Sequence, residues 1–480
     1  LRAFRDLLRE AVARVEEGIR EGRGRGAIAA DGLSARWNNW ERVIPITRFL
    51  ETVYDGLQDD TVAVDCEAAC VSDAIGFIGG RWWDGQTFRE ETFWAVDGWL
   101  TRKRPPGRVR TMDLKGGFVI PPLADAHTHR LAHAGELAID RADHRKAGVF
   151  YAMNMDPMLV VDAALLGAVG GPCGVDVAYT EGVITPSWST VTDFYRTMVT
   201  AGRFGPGVRL ADLQGEVIHV VDDAQDLEAA WPRLLARNPT FLKVILAFSD
   251  EWEERRGNPE YPANLPRGSA KPGLDPDLLP EIVYRAHTAG IRVAAHIETA
   301  ADFRRAVEAG VDIVAHLPGS WQIGETAGYP DGDLAPWLLT PADAREAAER
   351  GVAVVTTAWA DPADPRREAL AAIHSHNVSL LAQSGVRLAL GSDGAPGSTL
   401  TEVLYLARLG ELELTPREII NIATRGTARV IFPGRRIGRL DDGYEASFVV
   451  LGGDPLADLA NLERVSLVVK DGVPAEVCSR

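Results

Sequence analysis

Two histidines one residue apart, His127 and His129, close the apolar segment 117–129. Alternate side chains of a strand share a face, so both imidazoles project to one side and can hold one metal ion between them. Four further residues, Lys243, His296, His316 and Asp393, occupy the same place in other short apolar runs, the C-terminal end of a predicted strand. Neutral imidazole and carboxylate are donors for Zn2+ and similar borderline cations, and a catalytic site keeps one coordination position for water. Four histidines and an aspartate exceed what one such ion uses. Lys243 is the informative addition. A protonated amine has no lone pair and repels a cation, whereas an amine carboxylated by CO2 offers two oxygens, one to each of two ions.

The elements that must present these groups are legible as eight short strands, at 119–129, 148–154, 174–180, 241–247, 291–296, 311–316, 352–357 and 386–393, with helical segments between most of them. That alternation predicts an α/β fold, a (β/α)8 TIM barrel with the six residues at its C-terminal mouth. The clearest unit is strand 291–296, helix 301–310 and strand 311–316, which places His296 and His316 on neighbouring parallel strands. The apolar run 215–221 does not fit the count and reads as an insertion between the third and fourth strands. The Pro- and Gly-bearing stretch 249–276 reads as a loop over the mouth. Flanking the barrel, the segments 74–98, 446–451 and 466–472 are β-rich and punctuated by Asp-Gly turns, which predicts a small β-sandwich domain built from both chain ends. Phe4, Leu7, Leu8, Val12, Val15 and Ile19 recur at helical spacing before a Gly-Arg repeat, predicting an N-terminal helical extension. Its stripe must be covered by this subunit or by a neighbour, so a homo-oligomer is one expected outcome. The expected division is 1–68 for the extension, 69–117 and 433–480 for the two parts of the sandwich, and 118–432 for the barrel.

Composition narrows the function. The chain has 480 residues, 46% of them hydrophobic, a formal net charge of −17 and a pI near 5.1. The acidic balance argues against nucleic acid as a partner, which needs a basic footprint, and no apolar run reaches the roughly 20 residues of a membrane span. A small-molecule substrate is expected instead. Cys66, Cys70, Cys173 and Cys478 are too few and too scattered for a disulfide framework or a zinc knuckle. No apolar signal segment is visible after Leu1, and the location is left undetermined between cytoplasmic and, if a leader was removed, periplasmic or secreted. Gly391-Ser-Asp and Gly397-Ser-Thr lack the nucleophile-elbow pattern, which disfavours a serine nucleophile. His133 is equally readable as a neighbour of the site or as exposed. His144, His219, His287, His374 and His376 read as structural or solvent-facing, while Tyr261 and Trp321 fall on mouth loops within reach of a substrate.

Taken together, Arg81-Trp-Trp-Asp-Gly85, Ala124-Asp-Ala-His-Thr-His129, Phe241-Leu-Lys-Val244, Val293-Ala-Ala-His296, Ile313-Val-Ala-His316, Leu390-Gly-Ser-Asp393 and Thr424-Arg-Gly-Thr-Ala428 make the chain, from about 79 to 472, resemble the amidohydrolase superfamily. The nearest branch is the imidazolonepropionase-like and Xaa-Pro dipeptidase-like group. The resemblance implies that His127, His129 and Asp393 bind the more buried of two divalent ions, zinc being the expected metal. It also implies that His296 and His316 bind the second ion and that N6-carboxylated Lys243 bridges them. The implied activity is hydrolysis of an amide-type C–N bond in a cyclic amide, N-acyl amino acid or dipeptide, by attack of a metal-bridging hydroxide with Asp393 as general acid and base. Two departures stand out: residues 1–68 match no pattern of the family, and strand 5 ends His296-Ile-Glu-Thr where some dipeptidase-like relatives have His-x-His. The competing readings are a mononuclear deaminase or cyclic-amide hydrolase, against which Lys243 argues, and a non-catalytic barrel scaffold, in which loss of ligands would be expected.

Overall fold

The computed structural model describes residues 74–476 apart from 134, 159–160, 162, 173, 206, 258–270, 320–331 and 394–397, together with isolated positions between 14 and 30. The predicted N-terminal extension, the four cysteines, Tyr261 and Trp321 lie wholly or largely outside the described residues.

The chain opens with β1 (Ile75–Trp83), β2 (Phe88–Val96), β3 (Trp99–Thr101), β4 (Arg110–Asp113) and β5 (Phe118–Ile120). The barrel strands follow: β6 (Leu123–Thr128), β7 (Val149–Asn154), β8 (Asp176–Thr185), β9 (Ile218–Val220), β10 (Phe241–Ile245), β11 (Arg292–His296), β12 (Ile313–Val314), β13 (Ala353–Val355) and β14 (Arg387–Ala389). The chain then returns through β15 (Phe448–Leu451), β16 (Val465–Lys470) and β17 (Val473–Glu476) to the first sheet. That sheet runs β17-β16-β15-β5-β1-β2-β3 with β4 beside β1, so both chain ends build the small domain.

The barrel sheet is parallel and runs β6-β7-β8-β10-β11-β12-β13-β14. Its two ends meet where the Ala126 N–H donates to Leu390 O at 2.8 Å and the Asp393 N–H donates to His127 O at 2.7 Å. Local signals set the helices between strands. Thr299 and Asp302 form a capping box at the start of helix Ala300–Ala309, and Gly310, at φ 83°, ends that helix in the left-handed conformation a Cβ would penalise. The Asp302 carboxylate also accepts from the Phe248 and Ser249 N–H groups at 3.0 and 2.7 Å, tying the segment beyond β10 to the helix that follows β11.

Two expectations are corrected. The strand expected over 119–129 is two strands in two sheets, β5 and β6, separated by Pro121 and Pro122. Proline has no N–H for a ladder, so the pair is where the chain can leave one sheet and enter the other. The run 215–221 is not a detached insertion, because it contributes β9, paired in parallel with β8. β8 has ten residues and its pairing with β7 stops at Tyr179, so Val183–Thr185 would otherwise present an open edge, which β9 covers. Within the stretch expected as a mouth loop, Ser249–Glu251 form a 3-10 turn and Trp252–Gly257 a short helix.

At the barrel's other end the two domains are tied by charge. Lys470 donates to Asp176 Oδ1 at 2.6 Å and to the Gly171 and Gly174 carbonyls, and Arg435 joins Asp176 to Glu445. One buried histidine sets a pH dependence. His374, on helix Arg367–Gln383, bonds Tyr405 Oη through Nδ1 at 3.0 Å, and burial pushes its pKa down to about 3. Because the folded value lies below the ordinary one near 6.5, the unfolded chain takes up a proton that the folded chain does not. The resulting stability is present above about pH 6.5 and is lost as pH falls toward 3. The urea midpoint of His374→Phe is therefore expected to fall less steeply than the parent's between pH 7 and 4; parallel profiles would refute this.

Candidate metal centre

The site begins with how β6 and the segment after β14 are locked together. Buried Asp125 accepts on Oδ1 from the His127 N–H at 3.1 Å and from the Ser392 N–H at 3.0 Å, so one carboxylate oxygen holds the backbones of two strand ends. Gly391 permits the approach, since a Cβ there would meet the His127 Cβ at 2.5 Å. Asp393 follows at φ 43°, a left-handed conformation that aspartate tolerates better than most residues. This brings the Asp393 carboxylate to 3.1 Å from His129 Nε2 and 3.6 Å from His127 Nε2. One ligand atom from each of the three lies within 4.8 Å of the others.

The back of each ring is fixed. His127 Nδ1 lies 2.9 Å from Ala315 O and His129 Nδ1 lies 3.0 Å from Asp156 O. A carbonyl only accepts, so Nδ1 carries the proton in both and Nε2 faces the centre. Electrostatics separate the groups. Burial, reinforced by the charge of Lys243, holds the His127 pKa well below the usual imidazole range. Burial would lower His129 as well, but the hydrogen bond and charge of Asp393 outweigh it and raise that value. Burial would raise Asp393, and the surrounding His127 and His129 hold it well below the usual carboxylate range.

Contrary to the expectation of a strand-end position, Lys243 lies in the middle of β10, two residues before its end; His296 ends β11, His316 follows β12, and all six predicted residues line one cavity of about 320 Å³. The His127 and His316 rings are 4.5 Å apart, and those of His296 and His316 are 4.4 Å apart. His316 Nδ1 is 2.8 Å from Thr357 Oγ1. Thr357 holds a φ of 40°, costly for a β-branched residue and sustained only where the surroundings impose it. Burial, with His296 nearby, keeps His316 well below its ordinary pKa. Lys243 is buried, its Nζ has no hydrogen-bond partner among the described residues, and burial brings its pKa down to about 7 against the pull of Asp393 and Asp156. A buried amine with nothing to bond is what the carboxylation argument requires, and the imidazole and carboxylate donors around it fit a divalent cation.

Three residues of the site were missed in the sequence: Asp156 and Thr357, which hold His129 and His316, and Glu298. Glu298 is buried, lines the cavity and places Oε1 2.9 Å from His296 Nε2. The signal was available: His296 and Glu298 repeat the one-residue spacing of His127 and His129. The histidines read as structural stay out of the cavity: His144 Nδ1 bonds Asp140 O, His219 bonds Glu181 O, His287 pairs with Asp312 and His376 bonds Leu339 O.

A barrel with a small end-built sheet and strand-end histidines around an aspartate defines a class, and the comparisons agree with it. The profile of the amidohydrolase family matches residues 234–475, just over half of the chain, and the chain belongs to that family, a family of hydrolases. Ochratoxinase of Aspergillus niger is 28% identical over 249 residues, covering 50% of this chain and 46% of that protein. An imidazolonepropionase of Desulfotalea psychrophila is 37% identical over 93 residues, covering 18% and 22%. The chain thus spans about half the length of the first of these relatives and less of the second. Among solved structures, a Xaa-Pro dipeptidase with methionine bound in its active site matches at TM-score 0.61 and 18% identity, over 84% of this chain and all of that one. The A. niger ochratoxinase matches at 0.60 and 18%, over 83% and 95%. At these identities the likeness is one of fold.

Proposed function

We propose that this protein is a metal-dependent hydrolase of an amide-type C–N bond in a small molecule. In this reading His127, His129 and Asp393 would hold one divalent ion and His296 and His316 a second, with Lys243, carboxylated on its amine, as a ligand shared between the two. Zinc is the proposed metal. The observation that carries the reading is the convergence of two Nε2 atoms on Asp393, with both Nδ1 atoms committed to carbonyls. When bound, the ions supply acidification of a water and polarisation of the scissile carbonyl. Asp393 accepts the proton from the attacking water on its carboxylate and returns it to the leaving nitrogen. His127, kept neutral by burial, remains a donor rather than a competing acid. The names of the relatives, a dipeptidase and an imidazolonepropionase among them, favour C–N bonds as the target.

A mononuclear hydrolase is the second reading, favoured by one observation: the His127, His129 and Asp393 group is compact, whereas His296 Nε2 is engaged by Glu298. Elemental analysis of active protein separates the two. Two ions per chain are expected, and a value of one in fully active protein would leave the mononuclear reading.

A further inference from the structure

The cavity has a second character above the metal-ligand cluster. One wall is built on helix Thr190–Thr200, which starts from the Ser189 cap and presents Val191 and Phe194 to the cavity. Phe194 is 48% exposed, so its ring remains open to the cavity it lines. Met158, Val183, Ile245 and Pro272 complete the wall. Ile245 lies two residues beyond Lys243 on β10, hence on the same face of that strand.

This wall is fixed relative to the centre. Tyr195, buried next to Phe194, donates from Oη to Asp156 Oδ1 at 2.6 Å, and the Asp156 carbonyl holds His129 Nδ1. The charged groups lining the cavity away from the metal-ligand cluster are already engaged: Asp156 with Tyr195, Glu298 with His296, and Lys271 with Asp193 on the same helix. An anionic substrate group lodged here would lose its water and meet the carboxylates of Asp156 and Glu298 and a lysine already paired with Asp193, whereas an apolar group sheds its water favourably and gains contact.

From these facts we infer that the substrate carries an uncharged apolar group of about one ring on one side of the scissile amide, seated on Phe194 and Val191. The inference rests on the hydrolase reading and names its substrate class. The test uses metal-loaded protein with N-methylbenzamide, N-benzylacetamide and N-methylacetamide. The hydroxamates of benzoic and acetic acid, tested for binding, keep one metal-binding group while varying the apolar part. One of the two aromatic amides is expected to exceed N-methylacetamide in kcat/KM by roughly 10- to 100-fold, as burial of a ring implies. Benzohydroxamate is expected to bind tighter than acetohydroxamate by a similar factor. Phe194→Ala should shrink both ratios. Val191→Asp, whose new carboxylate sits favourably in the first turn of the helix, should do the same without unfolding it. Tyr284→Ala, at an exposed site on helix Leu279–Thr288, should leave the ratios as they are. Parent ratios within about threefold of one, or ratios unmoved by both wall variants, would overturn the inference. Cleavage of none of the amides would count against the hydrolase reading, while the hydroxamate ratio would still decide the wall.

Discussion

Asp393→Asn is expected to lower kcat by about 10²- to 10⁴-fold, the scale of losing a general base, with a much smaller change in KM. The substitution leaves the architecture in place. The backbone is held by the Asp393 N–H on His127 O at 2.7 Å, and asparagine tolerates the φ of 43° as well as aspartate does. What changes is chemical: the amide cannot take a proton from the attacking water and has no negative charge to set against His127 and His129. Steady-state kinetics with metal content measured on the same sample check this. Turnover within about threefold of the parent would remove Asp393 from the proton path.

Lys243→Ala is expected to abolish activity and bound metal together. If the amine bridges as a carbamate, its loss removes a shared ligand and a negative charge from between two cations. Lys243→Arg should fail as well, because guanidinium stays cationic and cannot take up CO2. The position allows little compensation: Lys243 is buried on β10 beside Ala294 of β11 and Val183 of β8. Metal analysis, circular dichroism and turnover with added bicarbonate separate loss of the bridge from loss of the fold. A folded variant with the parent's metal content and turnover would refute the bridge.

The order of the barrel strands was readable because strands buried on both faces are unbroken apolar runs bounded by turn residues. The runs at 148–154 and 291–296 correspond to Val149–Asn154 and Arg292–His296 within a residue. The small domain built from both ends was readable from Asp-Gly turns and β-branched runs on either flank. The histidines closing the runs at 119–129, 291–296 and 311–316 were equally visible, and so was Lys243 inside its run, because a histidine or lysine in an apolar segment conflicts with burial unless something engages it. Other features depended on contacts between distant segments. The break at Pro121 and Pro122 follows from which sheet each half joins, and β9 exists because β8 outruns β7. Phe194 reads as an ordinary amphipathic-helix residue until Tyr195 and Asp156 fix that helix against the centre. Periodicity reports which side of its own element a residue faces. Which other element it meets there is set by packing across the barrel, and the apolar wall beside the metal ligands belongs to that second kind of information.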